Sequence, residues 1–135
     1  MFEDRVKTLA YRSGIRINKV NNAGAKLNFE FDKDGKTTVR TCIITPFRDG
    51  KYWEFDCISP IDEKMVSRSI ELCKYLLRQN SKHFRGFWCL ERIGDDDVLV
   101  YMHNVASELL TPDEFSNTCW DVVKRVDELL RWLAS

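Results

Sequence analysis

Apolar residues recur along this chain at two different periods, and the switches between them divide it into elements. Phe2, Val6, Leu9 and Ala10 fall at helical spacing and Gly14 follows as a natural stop, which predicts a helix over 2–13. Ile15 and Ile17 then alternate with Arg16 and Asn18, the period of a short strand. After a turn at Asn21-Asn22-Ala23-Gly24, Leu27, Phe29 and Phe31 alternate with polar neighbours, predicting a strand with one wet face. Asp32-Lys33-Asp34-Gly35 closes a hairpin into the β-branched run Thr37 to Thr45, and Phe47-Arg48-Asp49-Gly50 turns again into Tyr52 to Ile58.

Ser59-Pro60 is expected to end that strand. Asp62 is a suitable N-cap for a helix through about residue 79, with Met65, Ser69, Leu72, Cys73 and Leu76 on one face. Val66, Ile70 and Leu77 widen its apolar face beyond what packing on one sheet requires. A second hairpin follows, about Phe84 to Arg92 and Asp97 to His103 around an acidic tip. Thr111-Pro112-Asp113-Glu114 combines a capping Thr, a first-turn Pro and a Glu three residues on. From there Phe115, Cys119, Val122, Val123, Val126, Leu129, Leu130 and Leu133 form an apolar stripe on a long last helix. The elements predict one α+β domain over residues 1–135, without repeats or linkers.

Composition narrows the classes of function. The chain is 44% apolar and 31% charged, an ordinary globular balance. Lys+Arg and Asp+Glu are equal at 21 each, so no net field draws it toward phosphate backbones or anionic lipid. Nucleic acid and membrane are not expected partners. The opening Met1-Phe2-Glu3-Asp4-Arg5 lacks the basic and apolar regions of a secretory signal, and apolar runs such as Val98 to Met102 fall far short of a bilayer span. Cys42, Cys57, Cys73, Cys89 and Cys119 stand singly in apolar-patterned segments, the usage of a reducing compartment. Cytoplasmic localisation is the expectation.

Candidate chemistry is sparse. The cysteines and the two histidines, His83 and His103, lack the short ligand spacing of a zinc site. Asp32-Lys33-Asp34-Gly35 opens like a calcium loop, but Ile43 occupies the twelfth position, where a bidentate Glu is needed. Asp95-Asp96-Asp97 fits a solvated hairpin tip better than a cation site. Glycines are too far apart for a nucleotide fingerprint. Cys89 and His103, on neighbouring hairpin strands, are the one nucleophile–base pair that can be assembled. Glu54, Asp56 and Glu91 alternate with apolar residues and so mark the wet face of a sheet. No metal, cofactor or catalytic residue is predicted.

Three stretches carry a family likeness: Leu76-Leu77-Arg78-Gln79-Asn80 leading into the strand from Phe84, the hairpin Phe87 to Tyr101, and Leu110-Thr111-Pro112-Asp113-Glu114-Phe115 opening the last helix. With the order helix, three or four strands, helix, two strands, helix, the chain resembles the type III secretion chaperone-like superfamily and, within it, the YbjN-type branch. The resemblance implies a two-layer α+β sandwich and a non-enzymatic chaperone or adaptor that binds client protein segments as a homodimer.

Against that background Val66, Ile70 and Leu77 are candidates for self-association. Surplus apolar residues on both sides of the strands, with Phe84, Phe87 and Trp88 crowded on one of them, suggest a peptide surface containing Ile44, Tyr52 and Trp88. An alternative is a regulatory module holding a small molecule in a pocket under the sheet, lined by Phe29, Phe31, Trp53 and Phe55. A third is a thiol enzyme built on Cys89 and His103.

Overall fold

The computed structural model describes residues 1–83 and 85–135, and its elements follow the two periods read from the sequence. Helix α1 (Phe2–Ser13) is followed by strands β1 (Ile17–Asn21), β2 (Gly24–Lys33), β3 (Lys36–Phe47) and β4 (Tyr52–Asp62). Helices α2 (Glu63–Ser67) and α3 (Ile70–Lys82) come next, then β5 (Phe87–Ile93), β6 (Asp96–Ala106), a 3-10 turn and helix α4 (Pro112–Ala134). Gly14 ends α1 at φ 67°, a left-handed position that costs a glycine little, and its N–H bonds back to the last turn. Thr111 caps α4 by accepting from the Glu114 N–H at 3.1 Å.

Two expected boundaries move. Ser59-Pro60 does not stop β4. The register slips between Ile58 and Asp62, and this bulge lets the strand pass a residue that has no N–H to donate. The Ser59 hydroxyl holds the irregularity, donating to the Leu99 carbonyl at 2.7 Å and accepting from the Ile61 N–H at 3.2 Å. The helix expected over 62–79 is broken at Arg68-Ser69, because Ser69 takes up extended backbone and caps α3 through the Leu72 N–H. Asp62 caps α2, as expected.

All strand pairings are antiparallel, in one sheet ordered β1-β2-β3-β4-β6-β5. The chain leaves β4, passes through α2 and α3, returns as the edge strand β5, and fills the gap with β6. Leu27, Phe29, Cys42, Ile44, Trp53, Phe55, Cys57 and Tyr101 point to one face and join Val6, Leu9, Leu72, Leu76 and the α4 stripe in a single buried cluster. Phe115 meets Phe55 edge-on at 5.9 Å, Trp120 meets Phe29 at 4.6 Å, and Phe2 meets Trp53 at 4.8 Å. The helices therefore form one layer on one face, giving a two-layer α+β sandwich.

Where β5 approaches β6, Gly86 is a steric requirement. A Cβ there would stand 2.5 Å from the Tyr101 ring and 2.9 Å from the Met102 carbonyl oxygen. Gly86→Ala is expected to cost roughly 1–3 kcal/mol through forced displacement of the ring or the strand. Urea denaturation should show a lower midpoint at an unchanged slope.

Candidate functional site

Because every second residue of a strand points away from the helices, the sheet has an outer face of its own. Cross-strand pairing sets out one complete row on it: Lys19 beside Lys26, then Ile43, Asp56, Met102 and Phe87. A second row runs Ile58, Val100, Cys89. Val100 and Met102 are 1% and 4% exposed, although neither belongs to the helix-side cluster. Their strand neighbours bury them. Ile58 and Phe87, at 40%, remain accessible beside them, so this part of the β4–β6–β5 face is an apolar surface without a helix over it, and Tyr52, at 39%, stands apart beyond the polar row Thr45, Glu54, Asn104.

Set into that surface are three carboxylates. Glu54 and Asp56 are alternate residues of β4, on the same side of the strand, and Glu91 stands on the same face of β5, opposite Val98 and four residues beyond Phe87. Asp56 is 9% exposed, and its Oδ1 is buried without a hydrogen-bond partner among the described residues. Burial, then the hydrogen-bonding contact and charge of Glu54, then the charge of Glu91, push its pKa from 3.8 up to about 8. An ordinary surface aspartate is ionised at neutral pH; this one keeps its proton. Burial, and after it the charges of Glu91 and Glu54, raise the neighbouring Cys89 thiol to about 11.

The predicted site residues separate. Ile44 is fully buried and Trp88 is 6% exposed, both on the helix side of the sheet, so neither can form a client surface. Ile44 opposes Phe55, and Trp88 packs edge-on against Tyr101 at 5.0 Å. Tyr52 does lie on the outer face, stacked with Phe47 at 5.7 Å. Phe84 falls outside the described residues, whereas Phe87 and Trp88 do point to opposite faces.

Val66 packs against the core and is not free for self-association, while Ile70 and Leu77 are each 70% exposed on α3. Phe29, Phe31, Trp53 and Phe55 do not share one pocket under the sheet: the rings of Trp120, Phe2 and Phe115 pack against them, and Trp53 and Phe29 each edge a separate open cleft, one with Phe2 and Arg5, the other with Trp120. Cys89 opposes Val100 on the outer face, while His103 opposes Phe55 on the helix side, so the thiol and the imidazole are separated by the sheet itself. All five cysteines are free. Among the described residues no set of three His, Cys, Asp or Glu is arranged to hold a metal ion, and no helix is long and apolar enough to cross a membrane.

The signal for the outer face was in the sequence. Val98 to Met102 is apolar at every position, and a strand apolar at every position calls for cover on both faces, the outer one included. The raised Asp56 carboxyl makes pH a direct probe. The folded chain keeps a proton that the unfolded chain has released from about pH 4 upward, so this group withdraws stability progressively until about pH 8. Asp56→Asn is expected to match the wild type in Tm near the acid end of that window and to exceed it increasingly toward the alkaline end. Thermal melts at intervals across the window read this directly, and a constant difference between the two would show that Asp56 titrates normally.

No protein-family model and no curated protein sequence matches the chain. Among solved structures it is similar to the crystal structure of YbjN from E. coli, described there as a candidate transcription regulator. The two superpose with a TM-score of 0.59 at 13% identity, over 93% of this chain and 86% of that one. With its helices on one face of a six-stranded antiparallel sheet, the chain has the YbjN-type α+β fold.

Proposed function

We propose that this chain is a non-enzymatic chaperone or adaptor that binds protein segments on the outer face of its sheet and works as a homodimer. The observation that carries the reading is that face itself. Ile58 and Phe87 stay 40% exposed beside a buried Val100–Met102 floor on a side that, among the described residues, receives no helix. Isolated apolar residues on a surface are ordinary; a contiguous patch across three strands marks a place where something docks.

The separation of Cys89 from His103 by the sheet favours a binding role over thiol chemistry at that pair. Cys89 and Cys57 are held as thiols, with pKa values of about 11 and about 12, and His103 lies across the sheet from Cys89. The balanced charge of 21 basic and 21 acidic residues supports protein rather than nucleic acid as the partner. A role like that described for YbjN would then pass through other proteins.

For self-association, Ile70 and Leu77 stand seven residues apart on α3, two turns of one stripe, each mostly in solvent. Ile70→Asp is expected to give a folded monomer in sedimentation-velocity experiments, with the circular dichroism spectrum unchanged. A wild type that is already monomeric, or a variant that stays dimeric, removes this interface. Ile58→Asp together with Phe87→Asp should abolish suppression of client aggregation and leave the melting transition intact; unchanged suppression would move the client surface elsewhere.

A further inference from the structure

Resting on that reading of the outer face, we infer that the segment it receives carries an arginine or lysine flanked by apolar side chains, the cation seated among Asp56, Glu54 and Glu91. The row Ile43, Asp56, Met102, Phe87 puts the carboxyl between apolar neighbours on both sides. A chain lying across this row meets an apolar floor interrupted by one carboxyl, which ionises once a cation is set against it.

Asp56 itself is the independent sign of a missing partner. It is more than nine-tenths buried, and its Oδ1 accepts nothing from the described residues. A buried acceptor left without a donor is costly, and an incoming N–H donor relieves that cost. None of the described ion pairs involves Glu54, Asp56 or Glu91; those pairs lie on the helices, between β3 and α4, near Arg85 and across the β5–β6 hairpin. The groups facing Asp56 from adjacent strands offer no cation: Ile43 from β3, Met102 from β6, and Glu54 and Glu91 as further anions. The three carboxylates are also not grouped to hold a metal ion. A guanidinium or ammonium on a flexible stem reaches such a spread set while its methylenes lie on Met102 and Ile43.

A second copy of this chain fits the same face poorly. Its cations on the outer row, Lys19 and Lys26, stand at the β1–β2 end, whereas the apolar residues stand on β4, β6 and β5. An isologous pairing that brings lysines over the mate's Asp56 sets apolar surface against the polar strands, and one that matches apolar surfaces leaves both acid clusters without cations. A segment of another protein can bring both features together.

The test uses three twelve-residue extended peptides that alternate Leu and Ser and differ only at one central position, occupied by Arg, Leu or Glu. They are titrated calorimetrically into the full-length chain at several pH values. The Arg peptide is expected to bind roughly tenfold or more tightly than the Leu peptide, with the Glu peptide weakest. Its advantage should grow as pH rises toward and past about 8, with proton release on binding, because the cation displaces the proton Asp56 otherwise keeps.

The double variant Glu54→Gln, Asp56→Asn should lose the advantage of the Arg peptide over the Leu peptide. Equal binding of the Arg and Leu peptides to the wild type overturns the cation site and leaves the protein-binding reading standing. No binding of any peptide overturns both. Conversion of a dimer to a monomer by Phe87→Asp assigns the face to a second copy and overturns the inference.

Discussion

The packing of the α4 stripe against the aromatic face of the sheet is the contact on which the other elements depend. Phe115, Cys119, Val122, Val123, Val126 and Leu129 are all fully buried there, each apolar side chain contributing on the order of 1.5–3 kcal/mol before the entropy of ordering it. Helices α1 and α3 are fastened through this one. Arg5 and Ser13 of α1 donate to the Leu110 and Pro112 carbonyls at its start, and Tyr75 of α3 stacks on Trp132 near its end at 4.3 Å. Asp127, buried in the middle, accepts from Arg131 at 2.8 Å and pairs with Arg40 of β3 at 3.5 Å. Residue 40 stands on the core face of the sheet, so this polar link passes through the layer boundary and fixes the helix in register over the strands.

With the whole helical layer drawn to one side, the opposite side of the sheet has only its own side chains for cover. That asymmetry explains how residues such as Val100 and Met102 are nearly inaccessible yet lie outside the main core. It also explains why Asp56 has so unusual an environment. In a wet sheet face an aspartate between polar neighbours stays charged; between Ile43 and Met102, with Glu54 and Glu91 as its polar company, it does not.

Element types and the α+β class were legible because long periodic stretches leave little ambiguity. The helix over Phe2–Ser13, the hairpin turns, and the Thr111 cap with its buried stripe all follow from local chemistry. Two failures were local competitions that periodicity does not resolve. Ser69 had the spacing of a helix face but the capping chemistry of a helix start, and capping prevailed. Pro60 has the signature of a strand end, yet a bulge carried by the Ser59 hydroxyl passes the strand beyond it. The site residues failed for a different reason. Whether Ile44 or Ile43 points toward the helices depends on which side α4 covers, and a shift of one residue exchanges the two faces. That choice is tertiary, so Ile44 and Trp88 were assigned to the surface while their neighbours Ile43 and Phe87 occupy it.

Asn80, at the end of α3, has a consequence for the edge of the sheet. Its side-chain amide donates to the Trp88 carbonyl at 3.1 Å and accepts from the Trp88 N–H at 2.6 Å, the pattern one residue of a neighbouring strand would make. A lone edge invites another chain to continue the ladder, and here the helix has lent a single amide to imitate the next rung. An extended chain that approaches β5 from outside finds Trp88 already engaged, so growth of the sheet in that direction is blocked at its root.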